Sequence, residues 1–187
     1  MEAVSIVIGV GWLSFWIYWL AAATRVKGTR PDASDTRWQL QLGLRVVIAI
    51  VIRILLRLRI FRVQTIPNAP ALLAIGLLLF AAGLSLAVWA RLHIGRNWGM
   101  PMSEKADPEL ITNGPYHLIR HPIYSGLILA MLGTALATSL YWLIVAAMLG
   151  GYFIYSARTE ERYMTELFPD AYPVYKSRTK MLIPFIL

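Results

Sequence analysis

The chain has 187 residues and a formal net charge of +8; 58% of its residues are hydrophobic and only 15% are charged. A soluble domain needs a larger charged surface, so the composition indicates a single membrane domain over 1–187. The lack of cysteine excludes disulfides, thiolate metal sites and a cysteine nucleophile. The basic residues cluster between apolar stretches, which favours anionic lipid headgroups over nucleic acid as their partners.

The N-terminal part of the chain, 1–90, is predicted to hold three transmembrane helices. The first is an uncharged run over 3–23. A signal peptide has basic residues before its apolar run, whereas only Met1 and Glu2 precede this one, so we interpret it as a transmembrane helix that is not cleaved off. The second runs from about 40 to 58 and contains three arginines, two of which can snorkel to an interface. The third is the uncharged segment 71–90.

The second half of the chain, 91–187, begins with a polar segment over 91–121. No charged residue follows between Pro122 and Arg158, which leaves room for two short spans with a tight turn near 138–139. Pro122 suits the first turn of a helix, where its missing N–H costs nothing. The sequence therefore predicts an all-α, polytopic transmembrane bundle with about five spans.

Five spans place the two ends of the chain on opposite sides of the membrane. With the N-terminus outside, the loops at 24–39 and 91–121 and the C-terminus lie inside and hold most of the lysines and arginines. The positive-inside rule favours this orientation. We therefore expect a multi-pass integral membrane protein with its polar C-terminal region on the cytoplasmic side.

Small residues recur on the two predicted C-terminal spans, at intervals that place them on one helix face. Such stripes allow close backbone approach in lipid, and they predict packing between these two helices. A sharper reading is that the missing side chains leave room for a flat ligand between them. The residues are Gly126, Ala130, Gly133 and Ala137 on one span, and Ala146, Ala147, Gly150 and Gly151 on the other.

Polar residues collect in two blocks, 114–126 and 158–184, at the ends of these two spans. A helical hairpin returns to the side it left, so we expect the two blocks to be neighbours in space. Arg158 and Glu161 are three apart on a predicted helix and share a face, whereas Glu160 points about 100° away from Glu161. A carboxylate beside a cation in such a site suits a zwitterionic ligand with an amino-acid end.

The same residues also have simpler structural interpretations. The charged residues of 158–162 could be a solvated amphipathic helix with i,i+4 pairs, and Arg120 with His121 could anchor a helix at the headgroups. The spacing of the three histidines fits no recognised metal motif, so no metal is expected. The chain has no GxGxxG or P-loop motif that would indicate a Rossmann-type cofactor site.

The segment 114–126 reads GPYHLIRHPIYSG and resembles the GPY–x3–RHP–x–Y–x–G signature of the isoprenylcysteine carboxyl methyltransferase family. Order and spacing agree over roughly 91–187. The C-terminal elements that resemble the family's motifs are RTEE (158–161), FPDAY (168–172), YKSR (175–178) and LIPF (182–185).

This resemblance implies an integral membrane enzyme that uses S-adenosylmethionine, bound at a non-Rossmann site between the last hairpin and the C-terminal segment. It implies that 91–187 is the catalytic half and that a lipophilic substrate enters from the bilayer. The implied catalytic residues are Glu161, Arg158 and Arg120. The implied cofactor-binding residues are Tyr116, His121, Pro122, Tyr124, Glu160, Arg178 and Pro184. Asn97 and Trp98 would border the substrate's route into the site.

The acceptor expected from the resemblance is the carboxylate of a prenylated cysteine or a related isoprenoid acid. An ionised carboxylate is already a nucleophile, so positioning and desolvation would carry the reaction. An amine acceptor would have to be neutral, and Glu161 would then be a candidate base. The alternatives are a phospholipid (ethanolamine) N-methyltransferase, an NADPH-dependent sterol-reductase-like enzyme, and a non-catalytic membrane binding or assembly protein. We expect a monomer or a weak homo-oligomer among membrane lipids.

Overall fold

A computed structural model of the chain describes residues 2–23, 69–99 and 108–184. Over these ranges the regular structure is helical, and the only strand-like pairing is an isolated parallel bridge between Ile119 and Lys180. The predicted all-α class is therefore confirmed for the described part of the chain. The α-helices are α1 (Glu2–Ala23), α2 (Pro70–Ile94), α3 (Pro122–Ala137), α4 (Trp142–Leu167) and α5 (Ala171–Arg178), and two 3-10 turns occupy Gly95–Asn97 and Gly114–His117.

The boundaries of the central helices follow from their sequence. Pro70 and Pro122 stand in the first turns of α2 and α3, where the fixed φ of proline suits a helix and its missing N–H is not needed. Gly95 follows α2 with φ 53°, a conformation that favours glycine, and its N–H donates to the carbonyl of Arg91. The start of α3 at Pro122 and the turn after Ala137 confirm the predicted boundaries.

Helices α1 and α2 are long and apolar enough to cross a membrane. Only 11% and 22% of their most apolar windows are buried, so neither is the core helix of a soluble protein, and large side chains such as Leu20 and Leu78 point outward. Helix α3 is apolar but has 16 residues, which span about 24 Å of a hydrocarbon core of about 30 Å. The predicted second span, 40–58, lies outside the described residues.

Helices α2 and α3 meet through a seam of glycines. A Cβ on Gly126 would lie 2.6 Å from the carbonyl oxygen of Gly83, and one on Gly76 would lie 2.7 Å from the amide nitrogen of Ala137. Only hydrogen fits at these positions, because backbone packs directly on backbone. The predicted stripe on α3 therefore exists, but it faces α2.

Helices α3 and α4 do pack together as predicted, with Tyr124 stacked on Phe153, but the small-residue stripe of α3 does not form that contact. Gly150 and Gly151 of α4 have nothing within 4 Å of an added Cβ, so they take no part in the close contact. The reading of a flat ligand between small residues is wrong for α3 as well, since the backbone of α2 fills that space.

Helix α1 is hydrogen-bonded to α3 near its middle and to α2 near its end. Within the helix, the indole Nε1 of Trp12 donates to Oγ1 of Thr134 on α3 at 3.1 Å. Near its end, Nη2 of Arg91 donates to the carbonyl of Ala22 at 2.7 Å, and the same guanidinium lies 4.7 Å from the ring centroid of Trp98. Arg91 thus joins the end of α1 to the end of α2, and the aromatic residues of both helix ends come together.

The C-terminal segment folds back onto the start of α3. The amide of Arg120 donates to the carbonyl of Lys180 at 2.8 Å, and the amide of His121 donates to that of Met181 at 3.0 Å. The hydroxyl of Ser125 donates to the carbonyl of Leu182 at 2.6 Å. The predicted meeting of blocks 114–126 and 158–184 is therefore confirmed.

Candidate functional site

A cavity of about 340 Å³ lies where the ends of α1, α2 and α3 meet α4 and α5. Charged and tyrosine side chains of α4, α5 and the segment before α3 form one part of its lining, which we call the polar end. Aromatic side chains of α1 and the segment after α2 form another part, which we call the aromatic end. The polar lining includes Arg120, His121, Glu160, Tyr163, Tyr172 and Tyr175, and the aromatic lining includes Phe15, Trp16, Trp19 and Trp98.

Glu160 is the acidic residue of α4 that lines the polar end. Its Oε1 accepts hydrogen bonds from the hydroxyl of Tyr124 at 2.6 Å and from Oγ of Ser156 at 3.0 Å. Ser156 lies one turn earlier on the same helix, so the carboxylate is held by its own helix and by α3. Its Oε2 lies 3.5 Å from Nδ1 of His121, so the carboxylate is held at the cavity wall from both oxygens.

His121 lies between two carboxylates. Its Nδ1 is 3.5 Å from Oε2 of Glu160, and its Nε2 is 3.5 Å from Oε1 of Glu161. Burial alone would lower the pKa of His121, but the two carboxylates outweigh burial and raise it above its usual value. The imidazole is therefore biased toward its charged form, which bonds with both nitrogens as donors.

A stack of three rings joins His121 to the apolar part of the cavity. The imidazole lies parallel to Tyr124, with 5.5 Å between ring centroids, and Tyr124 lies parallel to Phe153 at 4.7 Å. Parallel rings at these separations are attractive, and a charged imidazole over a tyrosine face adds a cation–π term. The stack fixes the orientation of His121.

Glu161 turns away from the cavity and is buried, with 3% of its surface exposed. Its Oε1 accepts from Nε of Arg120 at 2.6 Å, and its Oε2 pairs with Nζ of Lys176 at 2.8 Å. Burial alone would raise the pKa of Glu161 above its ordinary value of 4.5. Hydrogen bonds from His121, Arg120 and Lys176 outweigh burial and lower the pKa to about 2. Glu161 is therefore an ionised junction that joins α3, α4 and α5.

Arg120 completes this junction. Its Nη1 donates to the backbone carbonyls of Thr179 and Lys176, so one guanidinium holds both Glu161 and the end of α5. Charge-assisted bonds of this kind are stronger than neutral ones. Because Arg120 also lines the cavity, the junction forms one wall of the site.

Three tyrosines close the polar end. Burial raises the pKa values of Tyr116, Tyr172 and Tyr175 well above their usual range, so all three are neutral donors at pH 7. The hydroxyl of Tyr175 donates to the carbonyl of Tyr116 at 2.7 Å, which ties α5 to the 3-10 turn before α3.

A second, more open cleft lies on the other side of Glu161 and has a volume of about 500 Å³. It runs between α4 and α5. Its lining is charged for the most part and comprises Arg120, Arg158, Glu161, Arg162, Thr165, Glu166, Lys176 and Met181.

The structure divides the residues that the sequence singled out. Seven of them line the cavity: Asn97, Trp98, Tyr116, Arg120, His121, Tyr124 and Glu160. Arg158 and Glu161 line the second cleft instead. Pro122 is buried at the start of α3, while Arg178 and Pro184 are exposed and line neither space. The roles assigned to these residues remain predictions, although the location of Glu160 suits contact with a ligand better than that of Glu161.

Two contributors to the cavity were not identified from the sequence. Glu109 lies beside the predicted substrate residue Asn97 and accepts a hydrogen bond from its Nδ2 at 3.0 Å. The aromatic residues of α1 are the other. Phe15, Trp16 and Trp19 are spaced i, i+1 and i+4 and therefore lie on one side of the helix. This spacing is the sequence feature that could have identified them.

The described residues contain no group of three or more histidine, cysteine, aspartate or glutamate side chains that could hold a metal ion. His121 lies between Glu160 and Glu161, and Arg120 pairs with Glu161.

The model of the phospholipid methyltransferase family matches residues 71–171, more than half of the chain. The match begins in α2 and ends at the start of α5, so it covers the glycine seam and most of the cavity's polar lining.

Curated relatives share up to 38% identity with the chain. A cobalt-zinc-cadmium resistance protein from Cupriavidus metallidurans is 34% identical over 62% of this chain and 50% of its own length. Methanethiol S-methyltransferase 1 from Bradyrhizobium diazoefficiens is 38% identical over 44% and 28%. Protein-S-isoprenylcysteine O-methyltransferase from Schizosaccharomyces pombe is 30% identical over 52% and 43%.

The chain spans half or less of the length of these three relatives. Two of them are methyltransferases by name. The one from Schizosaccharomyces pombe is named for isoprenylcysteine, as is the family whose motifs 114–126 and 158–185 resemble. Together with the match over 71–171, this places the chain in the phospholipid methyltransferase family, whose members include the isoprenylcysteine-type methyltransferases that the sequence resembles.

Proposed function

We propose that the chain is an S-adenosylmethionine-dependent methyltransferase that acts at the membrane on a lipophilic acceptor. The observation that carries the proposal is the two-ended cavity. Its polar end offers a carboxylate and a cationic imidazole side by side, and its aromatic end lies against helices that are apolar enough to cross a bilayer. A zwitterionic methyl donor and an apolar acceptor need these two environments next to each other.

The residues at the polar end fit S-adenosylmethionine. Glu160 offers a carboxylate to the ammonium of an amino-acid end, and the guanidinium of Arg120 in the same lining offers a cation to its carboxylate. The cofactor supplies an electrophilic methyl group on a sulfonium. The stacked rings of His121, Tyr124 and Phe153 also line the cavity, and aromatic surface suits a planar base or a sulfonium.

We propose as the acceptor the carboxylate of a prenylated cysteine or a related isoprenoid acid. The aromatic end, with Trp16, Trp19 and Trp98, supplies apolar surface for a hydrocarbon chain. The same surface excludes water from an attacking carboxylate, which raises its reactivity without a general base. Asn97 also lines the cavity and can orient the acceptor's polar head.

A phospholipid with an ethanolamine headgroup is the second candidate acceptor. Glu109 lines the cavity beside Asn97, and a carboxylate in a cavity that tryptophans also line suits an ammonium group. The family's own name also points to phospholipids. An amine must lose its proton before it attacks, and Glu109 or Glu160 would have to take it.

Incubation with labelled methyl donor separates these acceptors. We expect label transfer to a farnesylcysteine analogue in preference to phosphatidylethanolamine or a small thiol. Preference for phosphatidylethanolamine would replace the first acceptor by the second. No transfer to any acceptor, by protein that nevertheless binds the cofactor product, would favour a non-catalytic binding role.

We also propose the five-span topology, with the site and the C-terminus on the cytoplasmic side. The support is the excess of basic residues in the regions placed inside. Because the chain has no cysteine, single introduced cysteines report sidedness directly. A cysteine at the exposed Ser177 should react with an impermeant maleimide only in inverted vesicles. Labelling in intact cells would reverse the orientation.

A further inference from the structure

One face of α4 changes from apolar to basic along the helix. Its positions are spaced by four, seven, three and four residues, so they form a single stripe. Ile144, Met148 and Tyr155 are 47%, 41% and 60% exposed, and Arg158 and Arg162 continue the same stripe as exposed cations. A helix that leaves a membrane has apolar residues in the hydrocarbon, tyrosine or tryptophan at the interface and arginine or lysine at the headgroups. This face of α4 follows that order.

The basic end of this stripe opens into the second cleft. The cleft is lined by four cations and two carboxylates, an excess of two positive charges. Glu161 is engaged by Arg120 and Lys176, and the described residues provide no ion-pair partner for either Arg158 or Arg162. The cleft therefore has cationic donors that its own carboxylates do not occupy.

The third cation comes from the opposite wall. Lys176 of α5 reaches Oε2 of Glu161 at 2.8 Å while its own side chain stays half exposed. Its ammonium has three donors, of which this contact uses one, so it can also bind an anion in the cleft. Donors thus approach the cleft from two different helices, a geometry that suits a phosphate with its several acceptor oxygens.

We propose that an anionic phospholipid binds on α4, with its phosphate in the cleft between Arg158, Arg162 and Lys176 and its acyl chains along the Ile144–Tyr155 face. Charge complementarity selects an anionic headgroup, and the apolar continuation of the stripe selects a lipid over a soluble phosphate. The cleft adjoins the cavity across Arg120, but the proposal does not depend on the identity of the methyl acceptor or on methyl transfer.

Native mass spectrometry of the full chain in detergent measures this binding directly. Phosphatidylglycerol should bind at low micromolar concentration, and phosphatidylcholine at least about tenfold more weakly. The double variant R158Q/R162Q should weaken phosphatidylglycerol binding about tenfold or more, and K176Q should weaken it several-fold. The matched control R96Q/K180Q removes two exposed cations outside the cleft and should change binding less than twofold.

Three results would overturn the proposal. The first is equal binding of the two lipids, and the second is equal loss in the control variant. The third is displacement of phosphatidylglycerol by millimolar inorganic phosphate, which would make the ligand a free anion instead of a lipid. Should R158Q/R162Q fail to fold, R158K/R162K keeps the charges and must keep the binding. S-adenosylhomocysteine affinity, measured on the same samples, reports the proposed function separately.

Discussion

At the scale of the residue, the candidate site depends on how α4 distributes two adjacent carboxylates. Glu160 faces the cavity and Glu161 faces the junction with Arg120 and Lys176. The sequence predicted that the two point in different directions, because adjacent helix positions differ by about 100°. It could not predict which one faces the cavity, since that depends on where α5 places Lys176.

Replacing Glu161 with glutamine should destabilise the protein strongly. The change leaves Arg120 buried beside a neutral amide, and breaking a buried ion pair costs about 3–5 kcal/mol. Thermal unfolding in detergent measures the loss. Glu166→Gln on the same helix removes an exposed carboxylate and should change stability by less than about 0.5 kcal/mol. Equal effects of the two substitutions would contradict the junction.

The same ion pair should make stability depend on acidity. The folded pKa of Glu161 is about 2, against an ordinary value of 4.5, so its contribution is complete above pH 4.5 and is lost as the pH falls toward 2. The difference in unfolding free energy between the protein and Glu161→Gln should therefore shrink over that range. A difference that stays constant from pH 7 to pH 2 would show that Glu161 is not held ionised.

At the scale of the element, the glycine seam decides how α2 and α3 meet. The stripe on α3 was visible in the sequence, but a stripe identifies the packed face and not the helix that packs on it. The neighbour along the chain, α4, was the natural guess, and α2 proved to be the partner because Gly76 and Gly83 complement the stripe. By contrast, Pro122 and the uncharged run after it determined the start of α3 from local chemistry alone.

Gly126→Ala should destabilise the protein by about 1–3 kcal/mol. The added methyl would lie 2.6 Å from the carbonyl of Gly83, so the two helices must separate. Gly150→Ala is the matched control, because nothing lies within 4 Å of its Cβ and alanine favours a helix. Thermal unfolding of both variants in one detergent should give opposite signs; a stabilised Gly126→Ala would show that the seam is loose.

At the scale of the whole molecule, the cavity combines parts that are far apart in the chain. The motifs of the second half predicted its polar end, because the hairpin brings 114–126 and 158–184 together. The contribution of α1 could not be predicted from them, since it depends on Arg91 holding the carbonyl of Ala22 beside Trp98. Tertiary contacts between distant helices leave little trace in local sequence patterns.

The aromatic end should affect the acceptor and not the cofactor. Trp16 lines the cavity and is 49% exposed, so Trp16→Ala should cost little stability while raising the KM for a lipophilic acceptor about tenfold. Its S-adenosylhomocysteine affinity should stay within twofold. Trp89 is equally exposed but lies outside the cavity, so Trp89→Ala should leave both quantities unchanged. Steady-state kinetics with both variants decides whether α1 belongs to the site.

The polar end of the cavity is proposed to bind S-adenosylmethionine through Glu160. Calorimetric titration of the purified protein with S-adenosylhomocysteine, and separately with NADPH, tests this binding. We expect micromolar binding of S-adenosylhomocysteine and no binding of NADPH. We also expect Glu160→Gln to weaken S-adenosylhomocysteine binding at least about tenfold and Glu166→Gln to leave it unchanged. Absence of binding by folded protein, or equal affinities for the two variants, would contradict it.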